Sequence, residues 1–126
     1  MTRETFSAWL DKYGRAWKSR DAESAAELYS EEGTYQVTPF LEPMRGHQAI
    51  LEYWTHVART EEQVQFGYEI LSLTQELGIA RWWASFVIAP QGHKTKLDGI
   101  LVVALDDKGK CTRLREWWHK QQMLES

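Results

Sequence analysis

The spacing of the apolar residues changes once along the chain, near Glu62, and this change limits the folds open to it. Before that point, most apolar residues recur at intervals of three and four, the period of a helix with one buried face. After it, they alternate with polar residues, the period of a β-strand. Helices followed by a run of strands predict an α+β fold in which the helices cover one face of a sheet.

The N-terminal half carries the patterns of three helices. The first is predicted over residues 4–20, where one face repeats large apolar side chains and the other is charged. The second begins after Asp21, a suitable N-cap, and is expected to include Tyr29 and to stop at Gly33. The third starts near Gly46. The first helix is the longest of these patterns.

A strand separates the second and third helices. In the segment TYQVTPFLEPMRG, Tyr35 and Val37 share one face and Gln36 lies on the other, before Pro39 and Pro43 end the pattern. If Tyr35 and Val37 both face inward, they line an apolar space, which needs a reactive group before it can be an active site.

The C-terminal half is expected to form an antiparallel meander of four strands. The strands follow one another with only short turns between them, TQELG, PQGH and DDKGK, as hairpin connections require. The strand segments are the alternating stretch from Val64 to Ile70, then IARWWASFVIA (79–89), TKLDGILVVAL (95–105) and CTRLREWWHKQQ (111–122). The predicted order of elements is therefore α-α-β-α-β-β-β-β, with the sheet curved around the helices.

Length and composition favour one globular domain over residues 1–126. With 15 Lys and Arg against 18 Asp and Glu, the net charge of −3 argues against nucleic-acid binding, which needs a basic surface. Cys111 is the only cysteine, which excludes an intrachain disulfide and fits a reducing compartment. There is no signal-peptide pattern and no apolar run of membrane-spanning length, so we expect a cytoplasmic protein without membrane contact.

The segments LYSEEGTYQVTPFLEPMRGHQAILEYW (28–54) and LDGILVVALDDKGKCTRLREWW (97–118) carry a resemblance. In them the chain resembles the nuclear transport factor 2-like superfamily, in particular its SnoaL-like and ketosteroid-isomerase-like members. The resemblance implies a cone-shaped α+β barrel with a pocket at its open end. It is less informative about activity, because this scaffold hosts isomerases, dehydratases, cyclases, epoxide hydrolases and non-enzymatic binding modules.

The isomerase pattern is only half present. Steroid isomerases use a helix tyrosine and a protonated carboxylic acid to stabilise an oxyanion, and an aspartate base to move the proton. The pKa values of these acids are a known example of tuning by the protein environment. By the resemblance, the helix tyrosine falls on Tyr13 and its hydrogen-bond partner on Tyr29. The base falls on Val37 and the protonated acid on Leu101, neither of which can transfer a proton. The chain is therefore not expected to be a steroid isomerase.

Glu116 is the leading catalytic candidate. If Val37 and Leu101 face the cavity, strand alternation and the resemblance place Glu116 on the same face, among Trp and Leu side chains. Burial there would raise its pKa, the condition for a general acid or base near neutral pH. The alternative is a carboxylate at the rim that pairs with a neighbouring Arg. Tyr13 is the second candidate, and its alternative is a core tyrosine whose hydroxyl is bonded to Tyr29.

The remaining site residues are predicted to line the pocket. Most are aromatic, so they form either a cage for a flat or apolar ligand or simply the core of a small barrel. The predicted ligand-binding residues are Trp17, Tyr29, Tyr35, Val37, Tyr53, Trp54, Trp82, Phe86, Leu101 and Trp118.

Other polar residues are assigned to the surface. His119 lies three positions from Glu116, so the two side chains point to opposite faces of the strand. Asp98 is expected on the outer face unless a bulge reverses the register, and it is kept as a weak site candidate. The pair of acids at residues 61–62 is interpreted as a solvated strand end. Histidine spacing does not suggest a metal site, and we expect neither a metal nor another cofactor.

Two functions fit these patterns. One is a pocket for a small hydrophobic, cyclic molecule, with catalysis by proton transfer next to a carbonyl or by elimination, as a lyase or isomerase. The other is a non-enzymatic binding or protein-interaction module whose pocket is filled by its own Trp side chains. Apolar residues on both faces of the last strands also predict a homodimer formed through the outer face of the sheet.

Overall fold

The computed structural model describes residues 1–123, so residues 124–126 of the predicted domain lie outside the described residues. Three helices and six strands follow one another along the chain. Their bounds are α1 Arg3–Ser19, α2 Ala22–Ala26, β1 Tyr29–Gln36, β2 Met44–Arg45, α3 Gly46–Thr60, β3 Glu61–Leu73, β4 Leu77–Ile88, β5 His93–Leu105 and β6 Cys111–Met123.

All six strands belong to one sheet in the order β2-β1-β6-β5-β4-β3. Strands β3 to β6 form the predicted antiparallel meander, and β1 joins its end by pairing in parallel with β6. The parallel pairing is possible because the long connection through β2, α3 and the meander lies between the two strands. The predicted α+β fold, a curved and mainly antiparallel sheet against N-terminal helices, is confirmed.

The core lies between the helices and the inner face of this sheet. The capping box formed by Thr2 and Thr5 fixes the start of α1, and its apolar face then packs on the sheet. In α3, Ile50, Trp54 and Val57 are buried at the spacing of one helix face. Each large apolar side chain buried in this way contributes roughly 1.5–3 kcal/mol. This packing holds α1 close to β3 and α3 close to β1.

The second helix is shorter than predicted. Asp21 caps it by accepting a bond from the Ser24 amide, but it ends at Ala26, and Tyr29 already belongs to β1. The Leu28 carbonyl accepts the Cys111 amide at 2.8 Å, which draws the chain into the sheet. Gly33 is a strand residue of β1 and not a helix stop. Glycine suits this position because a Cβ would lie 2.6 Å from the Cys111 carbonyl oxygen.

A loop over residues 37–43 connects β1 to β2, a two-residue strand that the proline-rich sequence did not predict. The Trp118 indole donates to the Val37 carbonyl at 2.7 Å and fixes the loop against β6. The loop carries Phe40, which is 92% exposed. Within residues 1–123, no helix combines the length and the apolar character needed to cross a membrane.

Candidate functional site

Glu116 lies inside the fold. It follows Leu114 on the inward face of β6, pairs opposite Leu101 of β5, and is only 4% exposed. Burial raises the pKa of its carboxyl to about 8, and bonds from Tyr13 and Tyr35 limit the rise. Its hydrogen-bond partners are tyrosines, so the alternative of a rim carboxylate paired with an Arg does not apply.

Two tyrosines hold the Glu116 carboxyl. The Tyr13 hydroxyl, from α1, donates to Oε1 at 3.0 Å, and the Tyr35 hydroxyl, from β1, lies 3.2 Å from both carboxyl oxygens. The hydroxyl oxygens of the two tyrosines are 3.5 Å apart. Burial, and then the nearby Glu116 charge, raise the pKa of both tyrosines well above the usual value. Both hydroxyls therefore remain protonated donors.

The predicted bond between Tyr13 and Tyr29 does not form. Tyr29 begins β1 instead of lying on the second helix, and its buried hydroxyl has no hydrogen-bond partner among the described residues. Tyr35 takes its place, because strand alternation carries Tyr35 inward beside β6, opposite Leu114. The sequence indicated Tyr35 only as a lining residue, and the resemblance drew attention to Tyr29.

The aromatic residues predicted to line a pocket are packed against one another. Trp17 is the centre of this group, with its ring 5.8 Å from Trp54, 6.1 Å from Trp82 and 6.0 Å from Phe86. Tyr53 joins at 5.6 Å from Trp54. Aromatic pairs at these distances are favourable contacts. The cage and the core of the barrel are thus the same set of side chains.

Some polar atoms within this packing lack partners. The indole nitrogens of Trp54 and Trp82 are buried without an acceptor among the described residues, as is the Tyr29 hydroxyl. An unpartnered buried donor costs roughly 1–3 kcal/mol. The Trp54 indole and the Tyr29 hydroxyl lie near each other but do not form a bond of good geometry.

The sheet does not close into the barrel that the resemblance implied, and a groove of about 550 Å³ lies between the loop over residues 37–43 and strands β5 and β6. Val37 and Phe40 line one side, Trp118 the other, and Glu116 is among its lining residues. Trp118, predicted to be part of the interior cage, is 37% exposed and lies at this mouth. Leu101 is fully buried in the core. The groove thus reaches the strand position of Glu116, which itself is buried.

The surface assignments of Asp98 and His119 agree with the structure, but that of Glu61 is wrong. Asp98 is exposed on the outer face and accepts a bond from Arg81 at 3.1 Å, and His119 is exposed opposite it. Glu61 is partly buried and accepts a bond from the Trp17 indole at 2.9 Å. No group of three or more His, Cys, Asp or Glu side chains within residues 1–123 is arranged to hold a metal.

The sequence model of the SnoaL-like domain matches residues 10–114, most of the chain. The chain belongs to the SnoaL-like domain family. A comparison with curated proteins found no sequence match.

Solved structures with the same fold include enzymes and a designed binder. A candidate isomerase from Bacillus subtilis is 19% identical with a TM-score of 0.82, over 92% of this chain and 87% of that one. SalBIII, an epoxide hydrolase/cyclase-like enzyme in pyran ring formation in polyether salinomycin, is 17% identical with a TM-score of 0.78, over 94% and 95%. A computationally designed 17-OHP binder is 16% identical with a TM-score of 0.78, over 94% and 97%. At these identities the likeness shows the SnoaL-like fold alone.

Proposed function

We propose that this SnoaL-like protein binds a small hydrophobic, cyclic molecule and acts on it as a lyase or isomerase by proton transfer. The observation that carries the proposal is the buried Glu116 carboxyl, held by Tyr13 and Tyr35 without a cationic partner. Because its pKa is raised to about 8, Glu116 is largely protonated at neutral pH and can donate to a carbonyl oxygen. The proposal does not extend to steroid isomerase chemistry, since Val37 and Leu101 carry no acid.

The proposed ligand enters through the groove between Val37 and Trp118. Its apolar part contacts the aromatic side chains, and its oxygen replaces a present partner of Glu116 or accepts from an unpartnered indole, Trp54 or Trp82. The relatives support this choice of ligand class, because one is a cyclase-like enzyme and another binds 17-OHP. The tight aromatic packing requires Trp17 and its neighbours to shift when a ligand binds.

The same packing favours a second candidate function, a binding or protein-interaction module without catalysis. The side chains of Trp17, Trp54 and Trp82 already occupy much of the interior. In that case Glu116 and its tyrosines are a polar part of the core, which fixes α1 and β1 on the sheet.

Two probes separate these functions. Binding of 2-naphthol, a flat phenol, is measured by calorimetry, and exchange of the α-protons of 2-tetralone, a cyclic ketone, is followed by NMR in heavy water. We expect binding of 2-naphthol and an exchange rate that Glu116→Gln lowers at least about a hundredfold, with folding intact. Binding without exchange supports the non-catalytic module. Failure of both probes to interact contradicts a small-molecule pocket of this kind.

The Tyr13 hydroxyl is tested with the same phenol. Tyr13→Phe removes one donor at the Glu116 carboxyl and is expected to weaken 2-naphthol binding by about 0.5–1.5 kcal/mol. Tyr68→Phe is the matched control, because the Tyr68 hydroxyl bonds Ser7 and Asp11 outside the site. Equal affinities of the wild type and Tyr13→Phe would assign Tyr13 to the core.

A further inference from the structure

Glu61 is a second inward-facing carboxylate. It is the first residue of β3, and the Trp17 indole of α1 donates to its Oε1 at 2.9 Å. It borders a small depression together with Trp17, Arg20 and Trp54. Its position is close to the aromatic group and still partly open to solvent. The proposed reaction leaves this residue without a role.

A bulge in β3 turns Glu61 inward. Phe66 pairs opposite Ala84, on the inward face, and plain alternation from Phe66 would place Glu61 on the outer face. The pairing register shifts between Glu62 and Gln65, so Glu61 comes to lie opposite Ile88, which packs on the core. A bulge adds one residue and so reverses the faces beyond it.

The left-handed backbone of Gln63, with φ of 54°, marks this bulge. Beyond it, Glu62 takes the outer face, opposite Val87. Two neighbouring carboxylates of equal size therefore lie on opposite faces of β3. Glu62 is for this reason a natural control for any role of Glu61.

Glu61 and Glu116 are held from one face of α1. Tyr13 and Trp17 are four residues apart, one helical turn, and their rings lie 6.1 Å from each other. Tyr13 donates to Glu116, and Trp17 donates to Glu61. Burial raises the pKa of Tyr53, on α3, and the charges of Glu116 and Glu61 both add to the rise. The two carboxyls are thus linked through neighbouring side chains of one helix face, with Tyr53 near both.

Glu61 is less buried than Glu116 and lies near a cation. Burial raises the pKa of Glu61 to about 7, and the Trp17 bond and Lys120 of β6 oppose the rise. Arg20 and Asp21, between α1 and α2, border the same depression, and the charge of Glu61 acts on the Tyr53 hydroxyl of α3. The pKa of Glu61 is thus raised less than that of Glu116, so Glu61 releases its proton first as the pH rises.

We propose that Glu61 is the base of this site and that β3 thereby supplies the proton acceptor that Val37 cannot be. The inference rests on the proposed function. In the step, the C–H bond next to a carbonyl breaks, its proton passes to the Glu61 carboxylate, and its electron pair forms an enolate. The Glu116 carboxyl donates a hydrogen bond to the enolate oxygen. Return of the proton from Glu61 to another carbon completes an isomerisation.

The first test needs no substrate. The protein is labelled with 15N in its indoles, and the Trp17 signal, assigned with Trp17→Phe, is followed by NMR between pH 5 and 9. We expect it to shift with a midpoint near pH 7, to lose that transition in Glu61→Gln and to keep it in Glu62→Gln. A Trp17 signal without this transition, or with the same transition in Glu61→Gln, overturns the assignment.

The second test uses exchange of 2-tetralone protons. In the wild type the rate should rise as Glu61 ionises, near pH 7, and fall as Glu116 loses its proton, near pH 8. Glu61→Gln should lower the rate at least about a hundredfold, while Glu62→Gln leaves it unchanged. Glu61→Asp keeps the charge on a shorter side chain. It should retain the rise in exchange rate with pH, but at a lower rate throughout.

The results separate the two proposals. No exchange in the wild type overturns the proposed catalysis and the base with it, even where the Trp17 titration shows that Glu61 holds a proton. Exchange that needs Glu116 but is unchanged in Glu61→Gln overturns only the role of Glu61.

Discussion

At the scale of single residues, the main feature is a carboxyl that is buried without a cation. Between about pH 4.5 and 8, the folded state holds a proton on Glu116 that the unfolded chain has released. Stability from the protonated carboxyl is therefore fully present below pH 4.5 and is lost as the pH rises through 8. Glu61 follows the same direction and is half-titrated near pH 7, so Glu116 contributes the larger part of the loss above that value.

This gives a stability prediction for Glu116→Gln. Between pH 7 and 8 the wild type should lose about 1 kcal/mol more unfolding free energy than Glu116→Gln, which keeps only the smaller loss from Glu61. Urea unfolding at several pH values measures the difference. Glu52→Gln, on the exposed face of α3, is the control and should follow the wild type. A wild type whose stability changes no more than that of Glu116→Gln over this interval would show that Glu116 is already ionised in the fold at pH 7.

Individual site residues were predictable to different degrees. Glu116 followed from strand alternation, because β6 has a regular register from Arg113 to its end. Glu61 did not, because nothing in EEQVQFGY marks a bulge, and Gln63 is an unusual residue for a left-handed backbone. The bond between Tyr13 and Glu116 joins residues 103 positions apart, which no local pattern reveals.

At the scale of elements, the bulge at Gln63 in β3 determines which face of the sheet carries the Glu61 side chain. The left-handed backbone of Gln63 disfavours any residue with a Cβ, by roughly 1–2 kcal/mol, and glycine avoids this cost. A native protein keeps such a conformation where the surrounding pairing determines it. Here the pairing of Glu61 with Ile88 and of Gln65 with Ser85 on either side fixes the extra residue.

Gln63→Gly is therefore expected to raise the free energy of unfolding by about 1 kcal/mol. Gln65→Gly, two residues later in regular strand, should instead lower it by about 0.5–1 kcal/mol. Chemical denaturation of both variants measures the contrast. If both glycines destabilise the protein equally, Gln63 has an ordinary strand backbone in solution.

The elements themselves were largely predictable, since long periodic stretches such as α1 and β4 to β6 carry a repeated signal. The errors fell on short elements. Tyr29 continued a helical stripe, but its neighbour Leu28 is bonded through its carbonyl to Cys111, a contact across the sheet that outweighs local propensity. β2 has only two residues, too few for any period.

At the scale of the whole molecule, the outer face of the sheet is more apolar than a surface in water requires. Trp83 is 38% exposed and Trp117 is 42% exposed. The Arg81 guanidinium lies 4.7 Å from the Trp83 ring centre, and that of Arg115 lies 5.5 Å from Trp117. These arginines therefore cover the Trp rings.

The same face holds a depression of about 650 Å³, bordered by Trp83, Asp98 and His119. Nearby, the buried Nε of Arg115 has no acceptor among the described residues. An unpartnered donor beside exposed indoles is typical of a surface that a protein partner completes. A second copy of this chain would meet that need, because a twofold axis would pair each face with its own apolar residues and acceptors.

We predict a twofold dimer through this face. Val102 lies between the two Trp-bearing strands, opposite Arg115 on β6, so Val102→Glu would bring two like charges together across the axis and should give a monomer. Leu41→Glu introduces the same charge on the exposed loop at the mouth and should remain dimeric. Sedimentation velocity at micromolar concentration distinguishes the two. A monomeric wild type, or a Val102→Glu variant that still dimerises, would leave the outer indoles exposed to solvent or covered by a different surface.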